Sequence, residues 1–192
     1  MAFFTKSEAR AAAAAARGSR TAQTVLREGF ESYKEHEKFD IFLSHSIDDA
    51  DLVLGVMALL QKQGLRVYVD WVVDRQLNRS SVNKETAAVL RARMKSSSSM
   101  MYIATDNASN SKWMPWELGF FDGHKPNQVA ILPLLDSNNQ SFEGQEYLGL
   151  YPVVTKYFQN NSMNHYIEDR GHRWTNLGNF ARGTPSWNVY KS

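Results

Sequence analysis

Short apolar runs alternate with wider apolar stripes along most of this chain. FDIFLS, Phe39 to Ser44, has strand length; the polar stretch HSIDDAD follows, and LVLGVMALLQKQ then fills a broad helical stripe that ends at Gly64. LRVYVDW, Leu65 to Trp71, is rich in β-branched and aromatic residues and predicts a second strand. A polar loop from Val72 to Ser80 leads to a predicted helix over about Val82 to Lys95, then to a third strand, SMMYIAT, Ser99 to Thr105. Ser96 to Ser99 have linker composition but run straight into that strand, so they read as its beginning. SKWMPWELG, Ser111 to Gly119, opens another helix; QVAILPLL, Gln128 to Leu135, is a fourth strand, and a short fifth is predicted near Leu150 to Thr155. Strands separated by helices need crossover connections and run parallel, so the predicted class is α/β, a doubly wound sheet of five parallel strands. Sites in such sheets lie beyond the carboxyl ends of the strands. Ser44 to Asp48, Asp70 to Asn78 and Asp106 to Glu117 fall at that edge.

The flanks read differently. Glu8 to Arg17 is nearly all alanine and arginine, a strong helix-forming mixture that Gly18 and Ser19 interrupt. Its alanines offer little apolar area, so the simpler expectation is a solvated lead-in, the other a helix docked closely on a partner. An arginine-rich, alanine-rich start also resembles an organellar transit peptide, against which Glu8, Glu28 and Glu31 count. A second helix is predicted near Thr21 to Glu35. The tail after Tyr157 is polar and carries Trp174 and Trp187; one helix around Arg173 to Ala181, packed on the domain, is expected there and little beyond it. The expected organisation is a helical extension over 1–37, the α/β domain over 38–157, and a C-terminal extension over 158–192.

Composition narrows the function classes. A net charge of +2 on 192 residues is too small to imply a nucleic-acid or acidic-lipid partner, and neither is expected. With no cysteine there is no disulfide and no thiolate nucleophile, which fits a reducing, cytoplasmic location. No stretch approaches the roughly eighteen apolar residues that cross a bilayer, so no membrane partner is expected. His36, His124, His165 and His172 lack ligand spacing, and no metal site is expected.

Trp113 and Glu117 are four apart, on one face of the predicted helix. Ser111 or a neighbour would cap that helix, and Pro115 is tolerated in the first turn, so Glu117 lies near the N-terminal end, where the dipole favours the ionised carboxylate. Such a group is a poor general acid. It can stabilise positive charge on a substrate or bind sugar hydroxyls, with Trp113 as a stacking face. The plain structural alternative is that Glu117 complements the dipole and Trp113 belongs to the core. Ordinary glycosidases need a second carboxyl to protonate the leaving group. A pyridinium departs neutral without one, so a single ionised glutamate beside an aromatic surface suits the N-glycosidic bond of a nicotinamide dinucleotide.

KFDIFLSHSIDDAD, the strand ending in VYVD, and above all SNSKWMPWELG resemble the boxes of the Toll/interleukin-1 receptor (TIR) domain, in particular its bacterial and plant NAD-cleaving branch. The likeness covers about Lys38 to Thr155 and implies a flavodoxin-like fold. It implies that Glu117 is catalytic, that Trp113 lines the nucleotide pocket, and that Ser44, His45 and Ser46 contact ligand. Asp70 through Asn78 corresponds to the family's BB loop, which often bridges to a neighbouring subunit; Asp70, Trp71 and Arg75 are candidates to touch nucleotide or that subunit, although exposed loop tips would explain Trp71 and Arg75 nearly as well. Met114 stands where many members carry a cysteine that is not catalytic. The implied chemistry is nicotinamide release from NAD+, a substrate here and not a cofactor, with water capture giving ADP-ribose and internal capture a cyclic ADP-ribose isomer. A short stand-alone TIR chain also resembles the sensor subunit of anti-phage systems such as Thoeris, whose nucleotide product acts on a separate effector. Self-association through the 70–80 loop is expected to raise activity, because a water-exposed pocket stabilises a charged transition state poorly.

Rival readings are a non-catalytic TIR adaptor, a nucleoside deoxyribosyltransferase-like enzyme, and a phosphoacceptor receiver domain in which Asp48, Asp49, Asp106 and Lys156 would supply the acid cluster and its lysine. Against the last, Ser44 to Ile47 separate the acids from the strand end.

Overall fold

Apolar runs buried on both faces must satisfy their backbone groups through neighbouring strands, and here they do so as one sheet. The computed structural model describes residues 2–30, 36–69, 84–137, 140–142, 146–159, 161–169 and 171–190. In chain order the elements are β1 (Phe4–Thr5), α1 (Lys6–Arg17), α2 (Ala22–Phe30), β2 (Phe39–Ser44), α3 (Ala50–Gln61), β3 (Val67–Tyr68), α4 (Lys84–Ser96), β4 (Ser97–Ala104), α5 (Met114–His124), β5 (Val129–Leu135), β6 (Val153–Gln159), β7 (Ser162–Asp169), β8 (Arg173–Asn176), α6 (Leu177–Ala181) and β9 (Asn188–Val189). Short 3-10 turns cover Ile47–Asp49, Asp106–Asn110 and Glu146–Leu150.

Strands β3, β2, β4, β5 and β6 lie side by side in that order with every pairing parallel, which is the α/β sheet the alternation predicts. Its centre is apolar on both faces: Ile41, Phe42, Leu43, Met100, Met101, Ile131 and Leu132 are all buried. β4 begins at Ser97, so the serine run is indeed its start. Among the described residues β3 is confined to Val67–Tyr68, and Asp70 and Trp71 of the predicted strand lie outside them.

The tail departs from the expectation of a single helix. β6 continues to Gln159 and pairs antiparallel with β7, from Val153↔Glu168 to Gln159↔Ser162; β8 and β9 extend the sheet further in the same manner. Asn161 (φ 58°) and Gly171 (φ 77°) take the left-handed conformations that let these short connections reverse the chain. The strands were hidden because β7 sets His165 between Met163 and Ile167 on one face and Tyr166 between Asn164 and Glu168 on the other, so the usual period-two signal is faint. Of the helix predicted over 173–181, residues Arg173–Asn176 form β8 and only Leu177–Ala181 is helical.

The N-terminal helix is not a solvated lead-in either. Thr5 and Glu8 form a capping box: Thr5 Oγ1 accepts from the Glu8 N–H at 3.2 Å, and Glu8 Oε2 accepts from the Thr5 N–H at 2.8 Å. β1 adds in parallel to the end of β5, pairing Phe4 with Leu134, and Ala2 bridges to Lys156 of β6. α1 then lies directly on α3. A Cβ on Gly55 would fall 1.8 Å from the Ala9 carbonyl oxygen, so glycine on one helix and alanine on the other permit this approach. The small side chains that offer little area individually allow close backbone packing. Among the described residues no helix is long and apolar enough to cross a membrane.

Candidate active site

β4 ends at the carboxyl edge of the sheet, and the chain turns through Asp106–Asn110 before α5 begins. Ser111 Oγ accepts from the Met114 N–H at 3.3 Å, and Pro115 sits in the first turn, where a missing N–H removes no helical bond. Glu117 falls in that turn, its own N–H donating to the Trp113 carbonyl at 2.8 Å. Both side chains point inward: Trp113 is 4% exposed and Glu117 0%.

Ser44, the last residue of β2, meets Glu117 there. Its hydroxyl donates to Glu117 Oε2 at 2.6 Å, a short bond to a carboxylate of the kind about twice as strong as a neutral pair. Tyr102 of β4 belongs to the same edge: burial, then Tyr147 and the nearby charge of Glu117, push its hydroxyl well above the ordinary phenol range, so it stays neutral. His45 is buried, with Nδ1 against the Leu43 carbonyl at 2.8 Å. Ser46 caps the following turn, its Oγ accepting from the Asp48 N–H at 3.4 Å. Of the three loop residues singled out in the sequence, Ser44 therefore reaches the carboxylate, Ser46 faces the space beside it, and His45 turns to its own backbone. Asp70, Trp71 and Arg75 lie outside the described residues.

Trp113 packs edge-on to Trp116 at 5.5 Å, and Trp116 stacks on Phe120 at 5.8 Å. The exposed rim of Trp113 lines a hollow of about 240 Å³ together with Ser46, Ile47, Asp48, Ser111 and Lys112. A second hollow of about 390 Å³, between the ends of β4 and β5, is lined by Tyr102, Thr105, Asp106, Leu134, Phe142 and Leu148, among others.

Sequence reasoning offered Asp49 only as a receiver-type acid and missed that it joins the two loops flanking Glu117. Asp49 is buried and accepts from Thr105 Oγ1 at 2.5 Å and Asn107 Nδ2 at 2.7 Å, tying the start of α3 to the end of β4. Its only local signal was an acidic residue where a polar loop enters a helix; its partners are more than fifty residues away. Lys6 makes a similar tie, 2.9 Å from Asp106 and 3.1 Å from Asp136, and Asp106 holds the Lys6 ammonium above its ordinary range. These pairings dismantle the receiver-type reading: Asp49 is held by Thr105 and Asn107, Asp106 by Lys6, and Lys156 by Glu8 at 2.5 Å. Among the described residues no group of three or more histidine, aspartate or glutamate side chains is placed to hold a metal.

No family model matches the chain. It is 49% identical over 139 residues, 72% of each chain, to a Bacillus cereus (strain MSX-D12) protein named "Probable 3' cyclic ADP-D-ribose synthase ThsB'". It is also 31% identical over 83 residues, 43% of this chain and 22% of the relative, to a Cytobacillus dafuensis protein provisionally named cyclic ADP-D-ribose synthase TIR2. With the α/β sheet and the glutamate at the start of α5, that extent of identity places this chain in the family of Thoeris-type TIR-domain proteins.

Proposed function

We propose that the protein cleaves the N-glycosidic bond of NAD+, releasing nicotinamide and converting the ADP-ribosyl part into a cyclic ADP-ribose isomer, with ADP-ribose as the hydrolytic product, as an anti-phage signal read by a separate effector. The observation that carries this reading is the buried carboxylate of Glu117 in the first turn of α5, held by the Ser44 hydroxyl. When the ribose C1′–N bond breaks, its electron pair goes to the pyridinium nitrogen and nicotinamide leaves neutral, so no acid is required. Positive charge develops on the ribose, and an oriented carboxylate stabilises it while accepting hydrogen bonds from the ribose hydroxyls. Ser44 fixes one carboxylate oxygen and so gives the group a single orientation, which makes Ser44 a positioning residue. Attack by a hydroxyl of the same molecule closes the ring, and attack by water gives ADP-ribose; either releases one proton. The relatives' names support the cyclic outcome, the first in its 3′ form.

Self-association through the 70–80 loop is part of the proposal. Glu117 is enclosed, and the two separate hollows at this edge, about 240 and 390 Å³, lie below and at the small end of the roughly 300–1,000 Å³ usual for ligand sites. A dinucleotide therefore needs a larger site than the described residues of one copy present, and turnover per subunit should rise with protein concentration.

The test is concentrated protein with NAD+, followed by chromatography for nicotinamide and both ADP-ribose forms, beside Glu117→Ala. Nicotinamide release with a cyclic product, reduced at least about 100-fold in the variant, is expected. Turnover absent from both proteins across the concentration range would leave an adaptor or an enzyme awaiting its trigger, and adding infected-cell lysate divides the two. Activity on nucleosides instead of NAD+ would make it a deoxyribosyltransferase-like enzyme.

A further inference from the structure

The antiparallel extension carries a hollow that shares no lining residue with those at the Glu117 edge. Directly opposed residues of neighbouring strands share a face, and the register places Thr155 opposite Tyr166, Tyr157 opposite Asn164, and Glu168 opposite Trp174. On this face Tyr157, Tyr166, Trp174 and Tyr190, with Gln159, surround a space of about 340 Å³ that the neighbouring Phe158 also borders. Tyr166 meets Tyr157 edge-on at 5.8 Å and Trp174 edge-on at 5.1 Å, so the rings stand at steep angles to one another, as the walls of a cage do.

The charge behind the rings decides what the space can hold. Glu168 is 2% exposed and accepts hydrogen bonds from Tyr157 Oη at 3.2 Å and Thr155 Oγ1 at 3.4 Å. Burial and the charge of Glu168 both raise the Tyr190 hydroxyl above its ordinary range, which places that hydroxyl beside the same carboxylate. Aromatic faces carry negative quadrupole density, and a phenol that donates to a carboxylate has a still more electron-rich ring. No lysine or arginine is among the described residues lining the space, so a phosphate or carboxylate would find no counter-charge there. We propose that this hollow binds an organic ammonium cation of about the size of choline, with Tyr166 and Trp174 against its alkyl groups and Glu168 as its counter-charge.

Calorimetric titration of the full chain with choline, beside its neutral isostere 3,3-dimethylbutan-1-ol, tests this directly. Choline should bind saturably and the isostere about 10-fold more weakly, in the range expected for a desolvated cation–π contact. Trp174→Leu should weaken choline binding to a similar degree, while Glu168→Gln, which keeps the shape, should narrow the gap between choline and the isostere. If Trp174→Leu fails to fold, Tyr166→Leu and Glu168→Gln carry the test. Choline that does not saturate, equal affinity for the two probes, or an unchanged gap in Glu168→Gln would each overturn the proposal.

Discussion

The parallel and antiparallel halves of the sheet each hold a buried glutamate hydrogen-bonded to a hydroxyl, yet they present it on different backbone. In the parallel half Glu117 sits in the first turn of a helix at the carboxyl end of the strands, 2.6 Å from Ser44, with the surrounding loops tied by Asp49 and Lys6. In the antiparallel half Glu168 lies within a strand, 3.2 Å from Tyr157, behind partly exposed aromatic rings. A helix N-terminus adds a dipole and free N–H groups that favour an ionised carboxylate facing the site, whereas a strand adds almost no net dipole. Burial and a hydroxyl bond are common to both glutamates; the backbone that presents each is what differs.

The sharpest way to break this comparison is to treat the two glutamates alike. Glu117→Ala should lower nicotinamide release from NAD+ at least about 100-fold, whereas Glu168→Gln should leave it within about 2-fold. Equal losses would show that the halves are not functionally separate. Next in size is Gly55→Ala, which forces α1 away from α3 and should lower stability by about 2–3 kcal/mol in urea unfolding. An unchanged midpoint would mean that α1 is held elsewhere. Ser44→Ala should lower kcat about 10-fold with KM nearly unchanged, because it removes an orienting bond to a charged group and no substrate contact. A rise in KM at constant kcat would move Ser44 from positioning to binding.

The smallest effect expected is that of pH on the N-terminal docking. Burial pushes the Glu8 carboxyl up, but hydrogen bonds from Lys156 and Thr5 outweigh it and leave the group below its ordinary 4.5. Its contribution is therefore present above pH 4.5 and is lost as pH falls through the lower folded value. His165, stacked on Phe4, is held below its ordinary 6.5 by burial and by Lys156, so folding favours its neutral form and loses that preference as pH falls below 6.5. Both shifts weaken the docked N-terminus in acid. Thermal melts carried from pH 7 to about pH 2 should show, below pH 4.5, a shallower loss for Glu8→Gln than for the unaltered chain, and identical slopes there would remove Glu8 from this account.

Most of the parallel core was legible along the chain. Phe39–Ser44 forms as predicted because an apolar run of that length, bounded by polar residues, has few other ways to bury itself. The place of Glu117 in the first turn was legible too, since Pro115 and Ser111 mark the helix start within a few residues. The extension strands were not, because their buried positions mix Val154 and Ile167 with Thr155, Lys156, Glu168 and Thr175, so polar residues interrupt the apolar signal. The docking of α1 was hidden for another reason: alanine on a helix says nothing of which surface will come close enough to need it.

By itself the sequence determined the elements whose signals are local: apolar period, helix caps, turn residues and the i, i+4 placement of Trp113 and Glu117. Tertiary structure alone decided the partners. Ser44 and Glu117 are 73 residues apart, and Lys156 and Glu8 are 148 apart, so neither pair exists until the strand order brings β2 beside β4 and β1 beside β5. Periodicity is written within one or two turns of chain, whereas a contact between distant residues is a property of how the sheet is ordered, and no short window of sequence contains it.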